Sequence, residues 1–409
     1  MSRIAPPLLA VCLLVLSCLP GCAEEGRRDP LTGRIRIIYI GDAILTRNPV
    51  YIYKSDPTFI GTLIPACLDD LLGQGMRMSD IYRYMRQYMP KTFEQMRDSL
   101  DVILLSDVHL LNFKPEEVVW MERCVREAGL GLIMVGGYES FGGVAGYTSW
   151  DGTAVAEALP VEFHSGGSAP SDTYRVQVLN PENELMKYLP WDKCPPFYGL
   201  NIVTVKQGAD ELASVVGLLK REFPLLDAWD YRQGRTVAFT PDWTPAWGES
   251  FSLWEYYLDC AANMGMYASR VPVPRDVVLV HTIRGKFFAL TNQKALLTSL
   301  FAFVESFGAS SAKLEGHMAK IDQTIRSAEA SYIGQEYDAS LSLLKEAEQA
   351  VGDLEKEAMK LKDTAMIWVY FVEWSAVTAT CLVCGIVLWT VMVRRRLYRE
   401  VQMTRATYR

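Results

Sequence analysis

The sequence predicts a three-layer α/β domain with a mainly parallel sheet, followed by an α-helical hairpin stalk and one C-terminal membrane-spanning helix. Three observations carry this reading. Strand-like apolar runs alternate with helical stretches over the first 270 residues or so, apolar residues recur at heptad spacing after residue 310, and the 20 residues from Trp374 to Val393 hold no charge. Half of the 409 residues are apolar and the net charge is −7. That balance excludes a disordered, collagen-like or disulfide-dense chain.

The strands come first. Arg34–Ile40 (RIRIIYI), Asp101–Ser106 (DVILLS) and Leu130–Val135 (LGLIMV) are nearly continuous in apolar residues, as parallel strands covered on both faces are. Helices are expected near Thr58–Leu72, Ser79–Met89 and Pro115–Ala128. The last opens with Pro115-Glu116-Glu117, a proline and two acids suited to a first turn. From Tyr174 the strands shorten, near Tyr174–Leu179, Ile202–Lys206, Ala213–Leu219 and Thr236–Thr240. An amphipathic helix at about Ser250–Tyr267 follows a tryptophan-rich loop, Asp242-Trp243-Thr244-Pro245-Ala246-Trp247-Gly248. Gly166–Ser171 reads as a loop, and Pro272 with Pro274 marks the end of the domain, which spans 34–270.

Residues 275–365 read as a helical, coiled-coil stalk. Leu314, Met318, Ile321, Ile325, Ala328 and Tyr332 lie at alternating spacings of four and three, and so do Leu344, Ala347, Val351, Leu354, Ala358 and Leu361. Two such stretches around Gly334 predict an antiparallel helical pair.

The two ends suggest a topology. Arg3, an apolar run from Leu8 to Leu19 and then Pro20, Gly21 and Cys22 have the three-part layout of a secretory signal, assigned to residues 1–21. Leu19-Pro20-Gly21-Cys22 is similar to a lipoprotein cleavage box. Cys22 is therefore a candidate lipidated N-terminus, with ordinary cleavage nearby as the alternative. At about 1.5 Å per residue, the uncharged stretch within 366–393 is long enough to cross a hydrocarbon core of roughly 30 Å. The tail at 394–409 carries six arginines against Glu400, which predicts a cytoplasmic C-terminus and a domain displayed outside the cytoplasmic membrane.

Removing both ends leaves −12 on the segment between. An acidic exterior argues against nucleic acid as a partner. The expected partners are the lipid bilayer and either an envelope protein or a small ligand. Cys67, Cys124 and Cys260 sit in apolar stretches that predict inert buried thiols, and no cysteine–histidine spacing for zinc occurs outside the apolar segment. No metal is expected, and no GxGxxG or phosphate-loop lysine is present, so no cofactor is expected either.

Ligands of open α/β sheets collect at the carboxyl ends of the strands. Those ends carry Gly41-Asp42, Asp107-Val108-His109, the run Gly136-Gly137-Tyr138-Glu139-Ser140 and Pro241-Asp242-Trp243. Asp42, Asp107, Gly136, Gly137, Tyr138, Ser140, Asp242 and Trp243 are the candidate crevice. Asp107, His109 and Glu139 are candidate acid–base groups. The bland alternatives are turn and helix caps for the aspartates and Ser140, and core closure for Trp243.

The stretch from Gly129 through Val135-Gly136-Gly137-Tyr138-Glu139-Ser140-Phe141-Gly142-Gly143, then Leu159-Pro160-Val161-Glu162, and Gly234–Asp242 with Trp247-Gly248 and Trp254, resembles the glutamine amidotransferase-like domains of bacterial envelope proteins. The resemblance implies a flavodoxin-like αβα fold related to class I glutamine amidotransferases. Its catalytic residues do not carry over. Gly137 or Tyr138 stands where the family places its cysteine, and no His-x-Glu occurs in the chain. The expected function is a ligand- or partner-binding module without glutaminase activity. The alternatives are a hydrolase or carbohydrate-active enzyme using the strand-end Asp, His and Glu groups, and a scaffold acting through the stalk or tail.

Overall fold

The computed structural model describes residues 26–42, 48–66, 76–168, 171–307 and 310–406. The expected signal segment, Cys22 and Cys67 lie outside them. The described residues fall into two compact units, residues 1–285 with 332–337, and residues 286–331 with 338–409.

In the first unit the chain runs through β1 (Ile35–Gly41), α1 (Ile52–Ser55), β2 (Phe59–Pro65), α2 (Met78–Tyr88), α3 (Phe93–Ser99), β3 (Val102–Ser106), α4 (Pro115–Ala128) and β4 (Gly131–Val135). It continues with α5 (Ala154–Ala158), β5 (Val161–Ser168), β6 (Arg175–Val178), α6 (Glu184–Lys187), β7 (Asn201–Val205), β8 (Asp210–Val216), β9 (Glu222–Tyr231), β10 (Gly234–Phe239) and α7 (Tyr257–Ala268). Among the described residues, eight strands form one sheet in the order β2-β1-β3-β4-β10-β9-β8-β6, and β5 pairs with β7 in a second. The strands from β2 to β10 run parallel, and β9, β8 and β6 extend the sheet antiparallel.

The apolar runs are explained by their two faces. In β1, Ile35, Ile37 and Tyr39 join one core, and Ile38 and Ile40 the other. In β3, Val102 and Leu104 alternate with Ile103 and Leu105 in the same way, and in β4 Ile133 and Val135 alternate with Leu132 and Met134. Helix α7 contributes to the first core, and α2, α3, α4 and α5 to the second. This is the three-layer flavodoxin-like arrangement.

Three local expectations are corrected, and one strand is added. Thr58–Leu72 does not begin as a helix. Phe59–Pro65 is the edge strand β2, in parallel register with β1 from Ile35 opposite Phe59 to Gly41 opposite Pro65. A Cβ at Gly61 would lie 2.3 Å from the Tyr53 carbonyl oxygen, so glycine permits the close approach of α1 to this strand. Gly166–Ser168 is the end of β5 rather than loop, paired through a register shift to Asn201. The helix expected from Ser250 starts at Tyr257 and is buried on nearly all sides, so it is not amphipathic. Finally, β9 occupies a segment where the residue pattern predicts no strand, and it is hairpin-paired to β10.

Helix α8 (Val277–Ser306) begins in the first unit, α9 (Ala312–Ile333) follows, and α10 (Tyr337–Ala406) is one continuous helix of 70 residues. Within the second unit all three pack together. Leu290, Leu297, Phe301 and Val304 are buried along with Leu314, Ile321, Ile325, Leu344, Ala347, Val351, Leu354 and Ala358. Lys286 pairs with Glu348 at 2.6 Å, Lys313 with Glu357 at 2.6 Å, and Lys294 with Asp322. The two heptad stretches thus share their seam with a third helix. Helices α8 and α10 are both long and apolar enough to cross a membrane. In α10 the side chains from 370 to 398 are exposed on nearly all sides.

Candidate functional site

The strand order itself picks out a location. From β1 the chain moves to β2 on one side, and β3 then lies on the other. The crevice at such a reversal, outside the carboxyl ends of β1 and β3, is where open α/β sheets bind ligands. Asp42 follows β1, and the parallel neighbours β4 and β10 are followed by Gly136 and Thr240; Asp107 follows β3.

Asp107 is held by its surroundings rather than by its own preference. Its φ of 44° puts a non-glycine residue in the left-handed region, at a cost of about 1 to 3 kcal/mol. Its N–H donates to Ser140 Oγ at 3.1 Å, and its Oδ1 accepts the N–H of Glu139 at 2.7 Å. Ser140 Oγ in turn donates to the Val135 carbonyl at 2.6 Å. The β3 and β4 ends are thereby tied to each other. Gly137 has φ 151°, and a Cβ there would sit 2.2 Å from the Asp107 carboxyl carbon.

A second clasp comes from β7. Asn201 Oδ1 accepts the Gly137 N–H at 2.9 Å, and its Nδ2 donates to the Gly137 carbonyl at 3.0 Å. Trp150 Nε1 donates to the carbonyls of Val108 and Glu139 at 3.0 and 3.1 Å. On the β10 side, Thr244 donates to Asp242 through its N–H at 2.8 Å and its hydroxyl at 2.5 Å. Trp243 Nε1 donates to Ser106 Oγ at 2.9 Å, and its ring stacks on Tyr39 with centroids 6.4 Å apart. Tyr39 and Asn48 both donate to the Asp42 carbonyl at 2.7 Å.

The result is a concentration of buried carboxyls. Asp42, Asp107, Glu139 and Asp242 are each 5% exposed or less. Burial first, and then the charge of Asp242, pushes the Asp107 carboxyl well above the ordinary range, with Glu139 and Asp42 adding to it. Burial and the charge of Asp42 push Asp242 up to about 7, against the bonds from Thr244 and Trp247. Adjacent carboxyls in a low-dielectric place disfavour one another's charge, which adds to burial in raising Asp107 and Asp242. Groups of this kind serve as proton donors or as hydrogen-bond donors to a ligand. Among the described residues no group of three or more His, Cys, Asp and Glu side chains has the geometry of a metal site.

The other candidates divide. Tyr138 stands at the rim, its ring 5.2 Å from Trp247 and 5.7 Å from Tyr147. Ser140 is a fully buried clasp between two strand ends. His109 is separate from the carboxyls. Its Nδ1 accepts the Leu111 N–H at 3.1 Å at the start of a short 3-10 helix, and burial alone lowers its pKa. Asn201 and Trp150 are not among the candidates that the sequence offers, because each reaches the site from a distant segment without a local motif.

Residues 81–267 match the sequence profile of the family described as "Putative glutamine amidotransferase". The chain carries a glutamine amidotransferase-like domain. Among solved structures it is similar to two cytoplasmic proteins of Salmonella typhimurium, at 20% and 21% identity with TM-scores of 0.47 and 0.45. Each alignment covers 57% of this chain and 99% of the other. A β-galactosidase from Rahnella sp. R3 aligns at 11% identity and a TM-score of 0.30, over 54% of this chain and 30% of the enzyme. No curated protein matches the chain.

Within the amidotransferase-like domain, the turn after β4 has no room for a nucleophile at Gly137, because Asp107 fills that space. The described thiols of the domain are remote in character as well. Cys124 and Cys260 are core residues, burial raises Cys124 to about 12, and burial also drives Cys194 and Cys260 upward.

Proposed function

We propose that the protein is a membrane-anchored, extracytoplasmic amidotransferase-like module that binds a small ligand or an envelope partner at its strand-end crevice and does not hydrolyse glutamine. The observation that carries the negative half is the overlap of any Gly137 side chain with the Asp107 carboxyl. Covalent glutamine hydrolysis needs a thiolate beside a base, and neither Gly137 nor Tyr138 carries a thiol. The uncharged run of α10 followed by Arg394, Arg395 and Arg396 supports a single anchor with a cytoplasmic tail. On this reading the domain occupies 34–270, the stalk 275–365 and the span 366–393.

A second reading is favoured by the raised Asp107 and Asp242 carboxyls. Asp242, raised to about 7, and Asp107 beside it fit a general acid and its neighbour in a hydrolase. Ammonia and glutamate release by the purified full chain in nanodiscs separates the two. No turnover above a protein-free blank is expected, and glutamine-dependent release lost on blocking thiols would overturn the binding-module reading. Hydrolysis of glycosides or esters abolished by both Asp107→Asn and Asp242→Asn would favour the enzyme. Thiol labelling of a Thr404→Cys variant, in intact and in opened cells, tests the orientation.

A further inference from the structure

A second groove, of about 390 Å³, lies between the last turns of α2 and the segment that joins β3 to α4. Its apolar wall is built from Tyr82, Leu111 and Phe113, with Leu111 64% and Tyr82 45% exposed. Arg86, Lys91 and Lys114 line the same groove, against one carboxylate, Glu117. Glu117 is already committed, since its Oε2 accepts the Lys114 N–H at 2.9 Å and starts α4. Lys91 is turned to the end of α2, where Nζ donates to the Arg86 and Met85 carbonyls. Arg86 spends its Nε on the Tyr82 carbonyl at 3.3 Å. No ion pair joins Arg86 or Lys114 to any carboxylate among the described residues.

Asn112 supplies the independent observation. It is 5% exposed and lines the groove, its Nδ2 donates to the Ala66 carbonyl at 3.1 Å, and its Oδ1 is buried with no donor among the described residues. A buried acceptor without a partner costs free energy, and a ligand N–H or O–H entering from the groove removes that cost. A guanidinium with two nitrogens to spare matches an oxyanion in two-point fashion, and an ammonium adds a point charge.

We infer that this groove is a binding site for a small organic oxyanion, a carboxylate or phosphate on an aromatic or aliphatic body that also carries one hydrogen-bond donor. The inference is independent of the proposed role of the strand-end crevice. Indole-3-acetate and indoxyl phosphate provide the body, the N–H and the two kinds of oxyanion, and tryptamine provides the same body with a positive charge. Equilibrium dialysis against the full chain in nanodiscs is expected to give saturable binding of at least one anion and none of tryptamine. The stronger anion identifies which oxyanion the groove prefers. Arg86→Gln with Lys114→Gln is expected to weaken that anion at least about tenfold. The same charge removed from the stalk by Arg326→Gln with Lys345→Gln is expected to leave it unchanged. Asn112→Leu should weaken indole-3-acetate but not 1-naphthaleneacetate, which has no N–H. A thermal midpoint equal to that of the native chain excludes loss of fold. Tryptamine bound as tightly as the anions, absence of saturable binding of both anions, or an unchanged affinity in the double variant overturns the site.

Discussion

Arg284 Nε donates to Asp56 Oδ2 at 2.7 Å, joining residues 228 positions apart in a place where the arginine side chain is 4% exposed. The same guanidinium donates through Nη1 to Asp259 Oδ1 at 2.7 Å, and the Tyr332 hydroxyl donates to Asp56 at 3.0 Å. One cation thus serves two buried carboxylates within the first unit. Arg284→Leu leaves Asp56 without a cation and Asp259 with His281 alone, and the expected loss is about 3 to 5 kcal/mol in chemical denaturation. Adding Asp56→Asn and Asp259→Asn should return most of it. A single variant as stable as the native chain would remove this network from the account.

The outer end of that network titrates. His281 Nδ1 meets Asp259 Oδ2 at 2.6 Å, and this bond, more than the opposing effect of burial, raises the histidine pKa. Burial pushes Asp259 up, but the His281 bond and the Arg284 charge outweigh it, so the carboxyl ends below its ordinary value. Glu255 is the other acid facing the ring, at 4.0 Å. A raised histidine contributes stability that is full below its unfolded pKa of about 6.5 and is lost as pH rises through the folded value. A lowered aspartate contributes above about 3.9, and its share is lost as pH falls through its folded value. The stability difference between the native chain and His281→Gln should therefore peak at mildly acidic pH and shrink above neutrality. A difference independent of pH from 5 to about 8 contradicts the pairing.

Asp227 behaves in the opposite sense. It is fully buried in β9 with neither carboxyl oxygen hydrogen-bonded among the described residues, and burial, followed by the Glu211 charge, raises its pKa well above the ordinary range. The folded chain binds this proton more tightly than the unfolded chain. Its contribution is full below about pH 3.9 and falls as pH rises toward the folded pKa. Asp227→Asn should be more stable than the native chain by about 1 to 3 kcal/mol at neutral pH, with the gap closing near pH 4. Denaturant midpoints across that range measure it.

At the candidate site, Gly137→Ala combines backbone strain with overlap on Asp107 and should cost at least about 2 kcal/mol. Gly137→Cys meets the same obstacle, so a thiol placed at this one of the two positions, Gly137 and Tyr138, should yield a destabilised chain without glutaminase activity. A stable, active Gly137→Cys variant refutes the steric argument.

Much of this architecture is legible in the residues, and the exceptions have physical causes. β1, β3 and β4 declare themselves because each side of the strand faces its own core. Phe59–Pro65 is equally apolar but short, and such a run does not distinguish strand from helix until a neighbour pairs with it. β9 is concealed by Pro224 and by Asp227, an acid where a strand in the sheet ordinarily buries an apolar side chain. Asp42, Asp107 and Asp242 are legible from their places after strands. Asn201 is not, since its two bonds to Gly137 close a loop of 64 residues. Arg284 reads locally as one charge in an apolar helix, and only the fold brings Asp56, Asp259 and Tyr332 to it.

The continuity of α10 has a mechanical consequence. Seventy residues without a break span about 105 Å, each residue turning the helix by about 100°. The side of the helix that carries Leu344, Val351 and Ala358 is therefore locked in angular phase with the apolar stretch at 374–393. Insertion of one alanine near residue 366 would turn that stretch by more than a quarter circle against the packed side, whereas a seven-residue insertion would nearly restore the phase. The helix is geared as a shaft is, and rotation at one end is not absorbed along the way.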